Sequence, residues 1–293
     1  HAITAQLLVD HAGLFDSWTP YPPYPGPTVH SGFPAATALL SWTTGMDIAR
    51  STLLTGQILN GLAILTLYPL ALGLAGGNRW AGVGAVLIAG LLSPMPAYYV
   101  NWGRYAQLAG QAVLPAALWL LWEAVDRNRF SWSALVLAVL ALGGMVLHYY
   151  RMPFYYATFV LAWLIGWGLP TWRLDGRRWL GAAGRMALVA GIAVLLVLPW
   201  SSYIAGGRLA DALEAGVSAA APPAWERVLA DYQVWRDVTW YVPKPLLGAA
   251  VLALLWSLAR RRWAVAACAV WVAGLAALVA GRLVRVPGGH MVQ

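Results

Sequence analysis

The sequence predicts an all-α fold: a polytopic transmembrane helix bundle of about eight spans, with amphipathic helices lying on the outer face. Three observations carry this. The 293 residues are 60% hydrophobic and only 10% charged, against roughly 25% charged in a soluble domain. The charged residues divide the chain into long uncharged runs. The alternation expected of an outer-membrane barrel is absent. In hydrocarbon every backbone amide must be satisfied within its own segment, so such runs span as helices.

Residues 1–47 form the first outer-face segment. From Ile3 to Phe15, apolar Ile3, Leu7, Leu8, Leu14 and Phe15 oppose polar Thr4, Gln6, Asp10 and His11. That spacing suits a helix lying in the membrane interface. Trp18 to Pro27 then holds five prolines and three aromatics. Proline removes donors and breaks helices, so this stretch reads as an ordered, non-helical loop. Two placements compete for it: packed back over the outer turns with Tyr21 or Tyr24 facing inward, or packed on the membrane surface. Phe33 to Thr44 reads as a second short surface helix.

Residues 48–203 form a six-helix transmembrane bundle. Its uncharged runs are Ser51–Asn78, Trp80–Gly103, Tyr105–Trp122, Phe130–Tyr150, Met152–Trp172 and Met186–Gly207. A hydrocarbon core about 30 Å thick takes roughly 20 apolar residues in a helix, and each run meets or nearly meets that length. Residues 204–242 alternate in charge and carry Trp225, Trp235 and Trp240, the pattern of amphipathic helices resting on the outer surface. Residues 243–293 supply two further spans, Pro245–Ala259 and Trp263–Gly281, and an outer tail. Pro245–Ala259 is short and draws on the stems of its flanking Arg residues.

The net charge of +8 comes from 19 basic residues, 18 of them Arg, scattered in ones to threes between the runs. They read as anchors beside lipid headgroups, not as a nucleic-acid surface. Ten of them fall in the short connections after the first, third, fifth and seventh runs, which places that side in the cytoplasm. The opposite side holds eight of the 11 acids and all five histidines. Burying ionisable groups near a membrane is costly, so their concentration on one face points to use, or simply to longer outer loops. Cys268, the sole cysteine, lies in the last run and reads as a packing residue. The chain opens at His1 without a signal segment and reads as an internal piece of something longer.

Phosphate-cradling glycine loops, paired zinc histidines and nucleophile elbows are all missing from the sequence. Candidates come instead from the outer turns. Asn101-Trp102-Gly103-Arg104-Tyr105-Ala106-Gln107 fills the turn between the second and third runs. A turn needs Gly and one polar residue; it does not need Trp102, Arg104, Tyr105 and Gln107. Arg104 offers a permanently charged fork of donors suited to phosphate or carboxylate. It either grips an anionic headgroup beside a stacking aromatic or snorkels to lipid. His148-Tyr149-Tyr150-Arg151 repeats the combination between the fourth and fifth runs and adds a histidine that titrates near neutrality. Asp10, Asp16 and Asp47 are the acids of the first segment. Asp10 or Asp16 could deprotonate an acceptor hydroxyl or hold a divalent cation; Asp16 could equally cap a turn. His30 lies on the same face.

The layout resembles the GT-C superfamily of integral-membrane glycosyltransferases. His1 to Leu8 with Gly13 looks like the first surface helix, and Gly32 to Leu40 like the second. Pro94 to Tyr99 and Asn101 to Gln107 are similar to stretches of bacterial membrane proteins grouped near that superfamily. The resemblance covers about residues 1–200 and implies transfer of a sugar from a polyprenyl-phosphate donor on the extracytoplasmic side of a bacterial plasma membrane. Its partners would be lipid-linked sugar and membrane lipids. It implies a phosphate near Arg104 or Arg151, a sugar near Trp102, Tyr105, Gln107, Tyr21, Tyr24 or His30, and catalysis by Asp16, Asp10 or His148. The superfamily's main acid should precede the first surface helix, and would then lie upstream of His1. Two rivals stand beside it. A transporter or lipid flippase would carry broken helices or mid-span acids; Pro69, Pro94, Pro96 and Pro115 lie in the runs, but no acid lies deep in any. A non-enzymatic subunit of a larger complex is the other.

Overall fold

The computed structural model describes residues 1–21, 31–126, 131–149, 151–165, 175–205, 242–260 and 263–280. Tyr24, His30, most of the Pro-Tyr loop, Tyr150, the bulk of the 204–242 segment and the tail after Ala280 lie outside them. Among the described residues the chain is all-helical, without a strand. All eight uncharged runs contain helix, but their continuity differs from run to run.

Helix α1 (Ala2–Asp10) buries Thr4, Ala5, Leu7 and Leu8, positions that share one helical face. It stops at Asp10, short of the expected Phe15. Ala12 adopts a left-handed φ of 50°, which ends the helix, and Phe15 folds back onto Leu7, Leu8 and Ala38. Helix α2 (Gly32–Thr44) ends at Gly45, whose φ of 70° is free of penalty only for glycine. Helix α3 (Ile48–Leu65) is opened by Asp47, whose carboxylate accepts from the Arg50 amide at 2.9 Å. Thr66 joins it to α4 (Leu67–Leu74).

The second run is not one helix. Helix α5 (Arg79–Leu87) passes into a π-turn at Ile88–Leu92, and Pro94 and Pro96 then break it before the short α6 (Ala97–Asn101). A residue before proline is pushed out of the α region and proline lacks a donor, so a continuous span could not survive two of them in three residues.

Helix α7 (Tyr105–Asp126) is the centre of the molecule. It packs on α8 (Trp132–His148), α3, α4 and α9 (Met152–Trp163), and on α10 (Gly176–Ala205). Small residues on α7, among them Ala106, Ala109, Ala112 and Ala117, are almost wholly buried; small side chains let helix backbones approach closely. Helix α11 (Lys244–Ala259) leads to α12 (Trp263–Ala280), which docks on α9: the Trp271 indole donates to the Tyr155 carbonyl at 3.1 Å and to Thr158 Oγ1 at 2.9 Å.

Among the described residues, three helical stretches are long and apolar enough to cross a membrane: Ile48–Leu74, Tyr105–Val125 and Gly176–Ser202. Arg79–Leu92, Trp132–His148 and Lys244–Ala259 are apolar but shorter. The large side chains of Leu91, Leu195 and Leu252 face outward, each more than 60% exposed, as expected where lipid rather than water covers the surface.

Candidate functional site

The candidate residues gather where α6 turns into α7 and α8 turns into α9. Gly103, at φ 64°, makes the first turn. Its amide bonds the Val100 carbonyl, and the Arg104 amide bonds Tyr99 O. This closes α6 and starts α7 one residue later. Arg104 is exposed, and its guanidinium lies over the Trp102 ring, 5.4 Å from the centroid. A cation over an indole face is attracted by the ring quadrupole. Trp102 in turn meets Tyr98 and Tyr99 edge-on, at 4.5 and 6.2 Å.

Tyr99 is the hub of this end. Gln107 Nε2 donates to its hydroxyl at 3.0 Å and Gln111 Nε2 at 3.2 Å. The two amides sit one turn apart on α7 and converge on one oxygen, so the ring has little freedom. Across the helices, Tyr99, Arg151 and Tyr149 all lie within electrostatic reach of the Tyr155 phenol. Arg151, half-buried, opens α9. Both Arg-aromatic turns thus come within electrostatic reach of Tyr155.

A second group adjoins it. The Tyr105 ring stacks on Phe33 of α2, and His1 meets both edge-on at 6.3 and 5.3 Å. Gly56 of α3 lies against Tyr105, and Gly32 of α2 against the His148 ring; a Cβ on either glycine would overlap the side chain it faces. Nδ1 of His148 is buried with no hydrogen-bond partner among the described residues. Tyr149 packs with Phe33, Ala106 and Ala109, so it joins the two groups.

The sequence-predicted residues therefore divide. Tyr105 and His148 come together through α2. Arg104, Trp102, Gln107 and Arg151 belong to the Tyr99 group. Asp10 is exposed and bonded to Gln6 Nε2 at 2.7 Å, at the end of α1 away from His1, about 13 Å along the axis. Asp16 is exposed just after Phe15. Asp47 is a helix cap, paired with Arg50 Nε at 3.3 Å. Tyr21 is exposed; the described start of its loop is held by Trp18, which packs on Phe15. Among the described residues no three His, Cys, Asp or Glu side chains gather to hold a metal. Sequence reasoning passed over Tyr99, Gln111, Gly32 and Gly56. The Gln107–Gln111 spacing of one helical turn was the available signal for the first two.

No family model matches this chain, and neither a curated protein nor a solved structure does.

Proposed function

We propose that this chain is an integral membrane protein of about eight spans that binds a lipid-linked sugar at its Arg104–Arg151 end and transfers the sugar to an acceptor there. The observation that supports it is the run of contacts from Arg104 through Trp102 to Tyr99, with Tyr99 and Arg151 both within electrostatic reach of Tyr155. Two permanent cations flank an aromatic, amide-bearing floor. Guanidinium forks suit the phosphate of a polyprenyl-phosphate donor, and aromatic faces with Gln amides suit a sugar. Asp16 and Asp10 are exposed acids of the 1–47 segment, and one of them would serve the acceptor hydroxyl as general base. Held reactants and fixed charge would supply most of the rate. The site would lie on the extracytoplasmic face of a bacterial plasma membrane, with segments 1–47 and 204–242 on the same side.

The test is direct. The protein in lipid nanodiscs is given radiolabelled polyprenyl-phosphate hexose, and retention and transfer are followed. Arg104→Ala and Arg151→Ala should each weaken donor retention at least tenfold. Retention unchanged in both variants would sink the reading.

One observation favours a second reading, translocation of a lipid or its headgroup. The α5–π-turn–α6 stretch is a broken helix, a device transporters use at their binding sites. Proteoliposomes separate the two: translocation moves labelled donor across the bilayer with its sugar bond intact, whereas transfer breaks that bond.

A further inference from the structure

We propose that a cleft between α7, α8, α9 and α10 is a second lipid site, holding one acyl chain of an anionic phospholipid. The cleft has a volume of about 310 Å³ and is walled by Leu121, Leu142, Tyr156, Val160, Trp179 and Ala187, among others. Its wall is almost wholly apolar. A bound water needs two to four polar partners, and this wall offers almost none, so hydrocarbon suits it better.

Shape and charge name the occupant. Along α10 the wall runs from Trp179 to Ala190. At 1.5 Å per residue that is about 16 Å, close to half of a ~30 Å hydrocarbon core. The cleft is therefore as deep as one leaflet, the depth of a single lipid chain. The end at Trp179 is the end where Arg177 and Arg178 stand in the first turn of α10, both exposed. Tryptophan and arginine mark the headgroup level, and two cations there select an anionic head over a zwitterionic one. On α9 the cleft reaches Tyr156, five residues from Arg151.

The inference rests on the membrane reading above, not on sugar transfer, and the Arg104–Arg151 site is at the opposite end of α7. Protein in nanodiscs of phosphatidylcholine with 30% phosphatidylglycerol is photolysed with a phosphatidylglycerol bearing a diazirine on one chain. Labelled residues are then mapped by mass spectrometry. Labelling at Leu142, Val160 and Ala187 should exceed labelling at outward-facing Leu195 and Leu252 at least fivefold. A phosphatidylcholine probe with the same chain should reduce that excess severalfold, as should the double change Arg177→Ala, Arg178→Ala. Ala187→Trp, which fills the cleft, should abolish it; Ala183→Leu is the milder second filling. Arg104→Ala should leave it unchanged, so loss of donor binding and loss of this site are separable. Equal labelling of cleft and outward residues in the unaltered protein, or an excess indifferent to both fillings, would overturn the proposal.

Discussion

The ring of Tyr105 lies flat on that of Phe33, 4.9 Å between centroids and 10° between planes. The contact joins the first residue of the central helix to the second residue of α2. It also fixes what can stand behind it, because Gly56 of α3 leaves room for Tyr105 only by having no side chain. On the other flank Gly32 gives His148 the same room.

Gly56→Ala should destabilise the protein by about 1–3 kcal/mol, the usual cost of overpacking a filled core. The new methyl would stand about 2.5 Å from Tyr105 Cε1. Thermal unfolding in detergent measures it. The double variant Gly56→Ala, Tyr105→Ala should lose less than the two single losses combined, since the clash needs both partners. Strict additivity would mean that the methyl meets something else.

Tyr99→Phe removes the acceptor shared by Gln107 and Gln111. Leaving half-buried amides without it should cost about 1–3 kcal/mol. Gln111→Leu together with Tyr99→Phe should recover part of the loss. On the proposed reading, donor retention also falls in Tyr99→Phe. A stability loss with unchanged retention would make Tyr99 a packing residue only.

Asp47 is one of the three acids of the first segment, and its geometry is that of a cap. Asp47→Ala should cost about 1 kcal/mol of stability, and Asp47→Asn much less, because Asn caps nearly as well. Neither should change donor retention. A tenfold fall in transfer with Asp47→Asn at unchanged stability would restore Asp47 as a candidate base.

Much of the helical content was legible because charge placement marks where hydrocarbon must end: Arg79, Asp126, Arg151 and Asp175 all stand at helix ends where the runs change. Continuity was harder to see. The Trp80–Gly103 run counts as a span by composition, yet Pro94 and Pro96 divide it, and proline punctuation outweighs apolar length. The amphipathic pattern from Ile3 to Phe15 holds only in part: Leu7, Leu8 and Phe15 share one buried cluster, whereas Ile3 and Leu14 are exposed and Thr4 is buried. The backbone reaches that result by a helix and a reversal. The Arg104 turn stood out by its surplus of chemistry, and its local bonds could be anticipated from Gly103. The pairing of Gly32 with His148 could not. It joins residues more than 100 positions apart, and nothing local in either segment announces a partner.

The last prediction concerns sidedness. With Cys268 changed to Ser, single cysteines at Gly45, Gly77, Arg104 and Asp175 give a cysteine-free background and four reporters. Gly77 follows the first long apolar stretch and Asp175 precedes the third, whereas Gly45 and Arg104 stand at the starts of the first and second. If Ile48–Leu74, Tyr105–Val125 and Gly176–Ser202 all cross the bilayer and α5–α6 returns the chain, Gly45 and Arg104 share one side and Gly77 and Asp175 the other. An impermeant maleimide applied to intact cells should label Gly45→Cys and Arg104→Cys, and should reach the other pair only after the membrane is opened. Positive charge favours this orientation, since Arg79, Arg177 and Arg178 stand at the protected ends. Labelling of Arg104→Cys and Gly77→Cys from the same side would show that the broken α5–α6 segment does not return the chain across the bilayer. The eight-span arrangement, and with it an extracytoplasmic Arg104–Arg151 site, would then be wrong.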